Sequence, residues 1–263
     1  MKLEELGELG LLAELERLGL AQGIENDAAE VDGLVVTQDT LVESVHFRFD
    51  LLTWRELGFR AAAVNVSDLS ASGAEPLALI VSLAVPATTE LADVVDLYEG
   101  FRELGVPVRG GDTSRADAVV LSVTAIGRAE RIPGRTGARP GDLLVVSGPL
   151  GAAGASFRNG QLRRPPVRIM EGQRLAHVAT AMLDISDGLA VDAGHIARRS
   201  SCRVEIDLDS IPLAPGATID DLAFGEDYEL LAATPDPLDF AVIGRCEEGS
   251  GVNLDIAGWE HFR

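Results

Sequence analysis

Lysine is nearly absent from this chain: Lys2 is the only one, and every other permanently cationic side chain is an arginine. A P-loop needs a lysine after its glycines, and a protein-kinase fold needs one on a strand, so both schemes are excluded. A phosphate site must instead use metal ions, arginine and backbone N–H groups. Cysteine is scarce as well. Cys202 and Cys246 are the only two, which excludes a disulfide framework and leads us to expect a cytoplasmic protein. His46, His177, His195 and His261 are scattered and have no C-x-x-C partner, which argues against zinc chemistry. No apolar run approaches the roughly 20 residues that span a bilayer. The opening Met1-Lys2-Leu3-Glu4-Glu5 lacks the basic-then-apolar order of a signal peptide. No membrane association is expected.

What is present suits a packed core. The 263 residues are 46% hydrophobic, enough for one large domain or two ordinary ones. The net charge of −20 would repel a phosphate backbone, so nucleic acid is not an expected partner. Much of that charge serves solubility. Many aspartates, however, sit inside Gly- and Ser-rich motifs rather than on amphipathic helix faces.

Leucines at 3, 6, 9, 12, 15 and 18 predict a helix over 2–19. A short strand is expected at 34–37, ending in polar residues. An alanine-rich helix follows over 54–72, stopped by Gly73 and Pro76. Strands at 77–85 and 118–126 flank a helix over 89–104, with 106–108 entering a Gly110-Gly111 turn. The Gly/Pro/Arg-rich stretch from Pro133 to Gly141 marks the expected boundary, giving domains 1–133 and 134–263. The second half predicts helices over 168–181 and 187–199, with strands at 143–146, 203–207, 228–233 and 240–245. This mixed order indicates an α+β fold.

Aspartates recur at strand ends and in turns: Asp27, Asp39, Asp68, Asp112, Asp184 and Asp187. Magnesium takes oxygen ligands, commonly one or two carboxylates with water and substrate phosphate. Several such ions would neutralise a triphosphate without lysine. Read singly, each Asp serves equally well as a turn former or helix cap, Asp187 at the helix beginning near Gly188 among them. Asp68 resists that reading, because Asp has poor propensity inside an alanine-rich helix. Gly110-Gly111 before Asp112 would let backbone approach a phosphate.

Five segments in this order resemble thiamine-monophosphate kinases: 37–47 (Thr37-Gln38-Asp39 through His46-Phe47), 63–76 (Asn65-Val66-Ser67-Asp68 at its centre), Gly110-Gly111-Asp112-Thr113, Asp184-Ile185-Ser186-Asp187-Gly188-Leu189 and Gly225-Glu226-Asp227-Tyr228-Glu229-Leu230. The tail Gly258-Trp259-Glu260-His261-Phe262 is similar to that family's C-terminal signature. The aspartate motifs alone indicate the wider aminoimidazole-ribonucleotide synthetase-like superfamily. His46, the GED segment and the tail point to the kinase. The resemblance implies two α/β domains, with the N-terminal one pairing across a homodimer. It implies magnesium-dependent, in-line transfer of a phosphoryl group from ATP to thiamine monophosphate, without a phospho-enzyme. It implies magnesium contacts from Asp27, Thr37, Gln38, Asp39, Asp68, Asp112, Asp184 and Asp187, with Asp39 and Asp112 foremost for turnover. Tyr98, Gly111, Asp112, Arg135 and Ser186 would hold ATP. His46, Glu226 and Trp259 would hold thiamine monophosphate, whose cationic thiazolium suits an aromatic face and a carboxylate. Trp259 as a core aromatic and Arg135 as a solvated loop residue are the plainer alternatives.

The chain departs from the family pattern at Glu25 and Asn26, where Gly and Asp are usual. Gln38 replaces Thr or Ser, Phe224 replaces a glycine, and the stretch between Gly154 and Pro165 is short.

Overall fold

A computed structural model describes residues 2–23, 26–256 and 258–259. Glu25 and the Glu260-His261-Phe262 part of the tail lie outside the described residues. The elements are α1 (Leu3–Arg17), β1 (Ala29–Val31), β2 (Leu34–Val42), α2 (Trp54–Ala71), β3 (Glu75–Val85), α3 (Leu91–Arg102), β4 (Val108–Arg115) and β5 (Val120–Arg128). The second half contains β6 (Leu143–Val146), α4 (Ala152–Arg158), α5 (Ile169–Ala176), β7 (Ala181–Asp184), α6 (Leu189–Ser200), β8 (Arg203–Ile206), β9 (Leu230–Thr234), β10 (Ala241–Glu247) and β11 (Gly251–Val252). The chain is thus α+β, with two sheets. No helix among the described residues is long and apolar enough to cross a membrane.

The first sheet has the order β1-β2-β5-β3-β4, with only β3–β4 parallel. Strand alternation sends Val35, Leu41, Leu79, Val81, Leu83, Val123 and Ala125 into a core closed by Leu57, Ala61, Val66 and Leu69 of α2. Helix α3 packs on the outside of α2. The two backbones meet closely: a Cβ on Gly58 would lie 1.9 Å from Leu97 O, and one on Gly100 2.1 Å from Arg55 O. Among the described residues, no helix packs extensively on the opposite face of the sheet.

The second sheet has the order β11-β8-β10-β6-β9-β7. One face packs Leu144, Leu183 and Leu231 against Leu189, Ala193 and Ile196 of α6. The other packs Val145, Met182, Leu230 and Ala232 against α5 and the end of α2 at Ala71. Helix α2 therefore lies between the two sheets. Its alanines suit that position, because small side chains allow close approach on several sides. It begins with a capping box: Glu56 N–H donates to Thr53 Oγ1 at 3.3 Å, and Thr53 N–H to Glu56 Oε2 at 2.6 Å.

Several expectations need correction. Strand β2 does not end at Thr37 but continues to Val42, because Gln38, Asp39 and Thr40 stay in register with β5. Gly110-Gly111-Asp112 is no turn; it lies within β4, paired to Ile80, Val81 and Ser82. Gly111 has φ 150°, and a Cβ there would lie 1.7 Å from Val81 O, so the glycine serves strand contact. The helix expected over 168–181 stops at Ala176, and Ala181 opens β7. Helix α1 is broken at Gly7, where φ is 70°.

Candidate functional site

Three elements and a loop converge between the sheets. Strand β2 brings Thr37 and Asp39 on its inward face. Helix α2 brings Asn65, Ser67 and Asp68. Strand β7 ends at Asp184, and the 26–27 loop supplies Asp27. Among the described residues the outer edge of β2 has no partner strand beyond Val36, and the Asn65 side chain takes the Asp39 N–H at 3.0 Å. Thr37 Oγ1 bonds Asp68 Oδ2 at 2.6 Å and reaches Asp27 O at 3.1 Å. Ser67 Oγ donates to Asp184 Oδ2 at 2.5 Å, linking α2 to the second sheet.

Carboxylate oxygens of Asp27, Asp68 and Asp184 lie within 4.8 Å of one another. Burial raises the Asp68 pKa well above the ordinary carboxylate range, and repulsion from Asp39, Asp184 and Asp27 raises it further, against the Thr37 hydrogen bond. Asp184 is pushed up to about 8, first by burial and then by Asp27, with Ser67 and Arg135 opposing. Burial also raises Asp27, although Arg135 pairs with it through Nε at 3.0 Å and through Nη2. One guanidinium for this many buried carboxylates leaves negative charge unbalanced. An all-oxygen donor set with excess negative charge fits a hard divalent cation.

A second group forms at the start of α6. Asp187, Asp192 and His195 place ligand atoms within 4.8 Å of one another. Asp187 does not cap this helix: Gly188 is its N-cap, and Asp192 Oδ2 accepts the N–H groups of both Asp187 and Gly188 at 3.0 Å. Burial, then Asp187 and Asp184, raise the Asp192 pKa well above its usual range. His195 is held down to about 3, by burial first and by Arg135, Arg198 and Arg199 after it. Neither Asp192 nor His195 was expected. An acidic residue in a first helical turn reads as ordinary dipole complementation, so Asp192 left little signal.

The Gly225–Tyr228 segment runs beside the Asp184–Ser186 turn. Glu226 N–H donates to Ser186 O at 2.8 Å, and Tyr228 N–H to Ile185 O at 2.9 Å. A Cβ on Gly225 would lie 2.3 Å from Ser186 O, so only glycine allows this approach. Glu226 and Tyr228 have φ of 57° and 51°. Left-handed backbone at non-glycine residues costs about 1–3 kcal/mol each and clusters at functional sites. Asp227 is buried, and its carboxylate accepts Gly151 N–H at 2.6 Å and Ala153 N–H at 3.1 Å. The tail returns to the same place, with Trp259 N–H donating to Asp187 O at 2.9 Å. Trp259 is 50% exposed, so it is not a core aromatic.

Not every expected residue joins this cluster. Gln38 lies on the opposite face of β2, its amide engaged by Ser122 and Thr124. Asp112 is exposed on β4, in register with Ser82 on that same helix-free face. Tyr98 sits on α3, edge-on to Phe101 at 5.4 Å. His46 Nδ1 accepts Val42 N–H at 3.1 Å, which ties the 43–47 loop to the end of β2.

The comparisons with known proteins agree with this architecture. Residues 25–129 match the family described as AIR synthase related protein, N-terminal domain, and residues 139–256 match its C-terminal domain. A thiamine-monophosphate kinase of Aquifex aeolicus is 34% identical, with 100% of both chains covered. One of Pyrococcus horikoshii is 35% identical over 88% of this chain and 86% of the relative. A solved structure described as AaThiL complexed with AMPPCP and TMP superposes with a TM-score of 0.92 at 34% identity, covering 99% of each chain. With relatives this similar over most or all of their length, the chain belongs to the thiamine-monophosphate kinase family.

Proposed function

We propose that the chain catalyses transfer of the terminal phosphoryl group of ATP to thiamine monophosphate. An oxygen of the acceptor phosphate attacks the γ-phosphorus in line as its bond to ADP breaks, giving thiamine diphosphate and ADP. The Asp27–Asp68–Asp184 cluster, with the Arg135 guanidinium paired to Asp27, is the observation that carries this reading. In this reading Asp27, Asp39, Asp68, Asp184 and Asp187 would hold magnesium, which would supply charge neutralisation for the phosphates and the transferring oxygens. Thr37, Ser67 and Asn65 orient the carboxylates and the β2 backbone. Arg135, paired with Asp27, and Ser186, in the turn that follows Asp184, suit ATP. Glu226 and Trp259, both held to the 185–187 turn by backbone bonds, suit the acceptor. The direct test is ADP release with and without thiamine monophosphate. Turnover that does not depend on the acceptor would overturn the assignment.

Trp259 gives a sharper check. A cation–π contact is worth about 0.5–2 kcal/mol, and lost apolar burial adds to it. Trp259→Ala should raise KM for thiamine monophosphate about 10-fold, at about 1.4 kcal/mol per decade. KM for ATP and the melting temperature should hardly move, because the side chain is half exposed. A sharp fall in melting temperature with both KM values rising alike would assign Trp259 to packing.

The helix-free face of the first sheet supports a symmetric dimer. Gln38 and Asp112 lie on that face, so pairing would place them at the subunit boundary. Sedimentation at micromolar concentration should show a species of about twice 27.8 kDa. A fully active monomer would contradict it.

A further inference from the structure

Arg60 is out of place by ordinary rules. It lies in the middle of α2, is 3% exposed, and sits in an alanine-rich stretch where nothing in the sequence marks it. A guanidinium is rarely buried unless it is paired. Its Nη1 donates to Arg163 O at 3.1 Å. Its Nη2 contacts Glu226 Oε1. The Nε and Nη2 groups form one edge of the guanidinium, and neither makes a geometrically sound hydrogen bond among the described residues. Unmade donors at a buried site are costly, so such an edge calls for a defined partner. Burial works against the Arg60 charge, but Glu226 and Tyr228 override it and hold its pKa above the usual value.

Glu226 is the counterpart. Its side chain is 27% exposed, so one side faces Arg60 while the other remains open. Its left-handed backbone is pinned to Ser186 O, which limits where the carboxylate can point. The neighbouring Asp227 is committed to Gly151 and Ala153, and Arg163 Nη1 stands 3.7 Å from it. Arg60 and Asp68 are eight residues apart on α2, about 12 Å along the helix. That separation is comparable with the span between the phosphate and the pyrimidine of an extended thiamine monophosphate.

We propose that Arg60 is a positioning residue for acceptor recognition, holding the Glu226 carboxylate in the orientation that receives the exocyclic amine on the pyrimidine end of thiamine monophosphate. The proposal rests on the reading of Glu226 as an acceptor-binding group. Arginine suits the task better than lysine, because its planar fork fixes the direction of a carboxylate as well as attracting it.

The test uses the full chain with Arg60→Gln, Arg60→Lys, Glu226→Gln and the Arg60→Gln/Glu226→Gln double variant. Arg60→Gln should raise KM for thiamine monophosphate about 10-fold and leave KM for ATP within about twofold. Arg60→Lys should fall between it and the parent. The double variant should be no worse than Glu226→Gln alone, because Arg60 acts through Glu226. Fold-changes that multiply in the double variant, or equal rises in both KM values, overturn the proposal. Should Arg60→Gln fail to fold, Arg60→Lys carries the same cycle. If Glu226→Gln raises the acceptor KM and no Arg60 variant does, the Arg60 role alone falls. If Glu226→Gln leaves that KM unchanged, the acceptor role of Glu226 falls and this proposal falls with it.

Discussion

Asp68→Asn should lower turnover by about 100-fold or more while leaving the metal-free protein at least as stable as before. The first effect follows from removing a cation ligand at the centre of the cluster. The second follows from the surroundings of Asp68: its charge is buried and repelled by Asp39, Asp184 and Asp27. Asparagine keeps the shape and can still accept the Thr37 hydrogen bond. Asp39→Asn should cut turnover on the same scale. Steady-state kinetics in excess magnesium and thermal melts in a chelator measure the two effects separately. Near-parental rates in both variants would remove the cluster from the mechanism. A large fall in melting temperature for Asp68→Asn would instead make it a structural carboxylate.

The second large effect is in the pH dependence of stability without metal. The Asp184 pKa is raised in the folded state to about 8, from an ordinary value of 3.8. The folded protein therefore binds this proton more tightly than the unfolded chain does. The associated stability is fully present below the unfolded carboxylate pKa and drains away as pH rises through about 8. The raised Asp68 pKa acts in the same direction. In a chelator, the melting temperature should fall steadily from pH 5 to about pH 8.5. Magnesium with ATP should flatten that slope, since a bound cation favours the ionised cluster. A flat profile in the chelator would mean that the carboxylates are not strained by one another.

Much of this was legible in the sequence. The helix expected over 54–72 was marked by its alanines and by Gly73 after it, and it ends at Ala71. The strands expected at 77–85 and 118–126 lie within two residues of β3 and β5. Alternation along β2 was also written there, but its meaning required the structure: Thr37 and Asp39 point inward, whereas Gln38 points to the helix-free face. The glycines of 110–111 misled, because glycine signals a turn and equally permits a close strand contact. Strand β7 was hidden because Ala181-Met182-Leu183-Asp184 has too few residues to show a period, and an apolar run before it read as helix. Arg60 was invisible for a physical reason. A lone arginine on a helix reads as solvated, and only tertiary packing shows otherwise.

Helix α2 also constrains how this protein can move. It supplies one wall of each core, so swinging the two sheets apart would strip packed alanine surface from at least one of them. The Gly/Pro-rich stretch after Pro133 is therefore a connector without a hinge's freedom, however flexible its composition. In mechanical terms α2 is a common beam for two floors: Asp68 stands on the beam, and Asp39 and Asp184 reach it from the floor on either side.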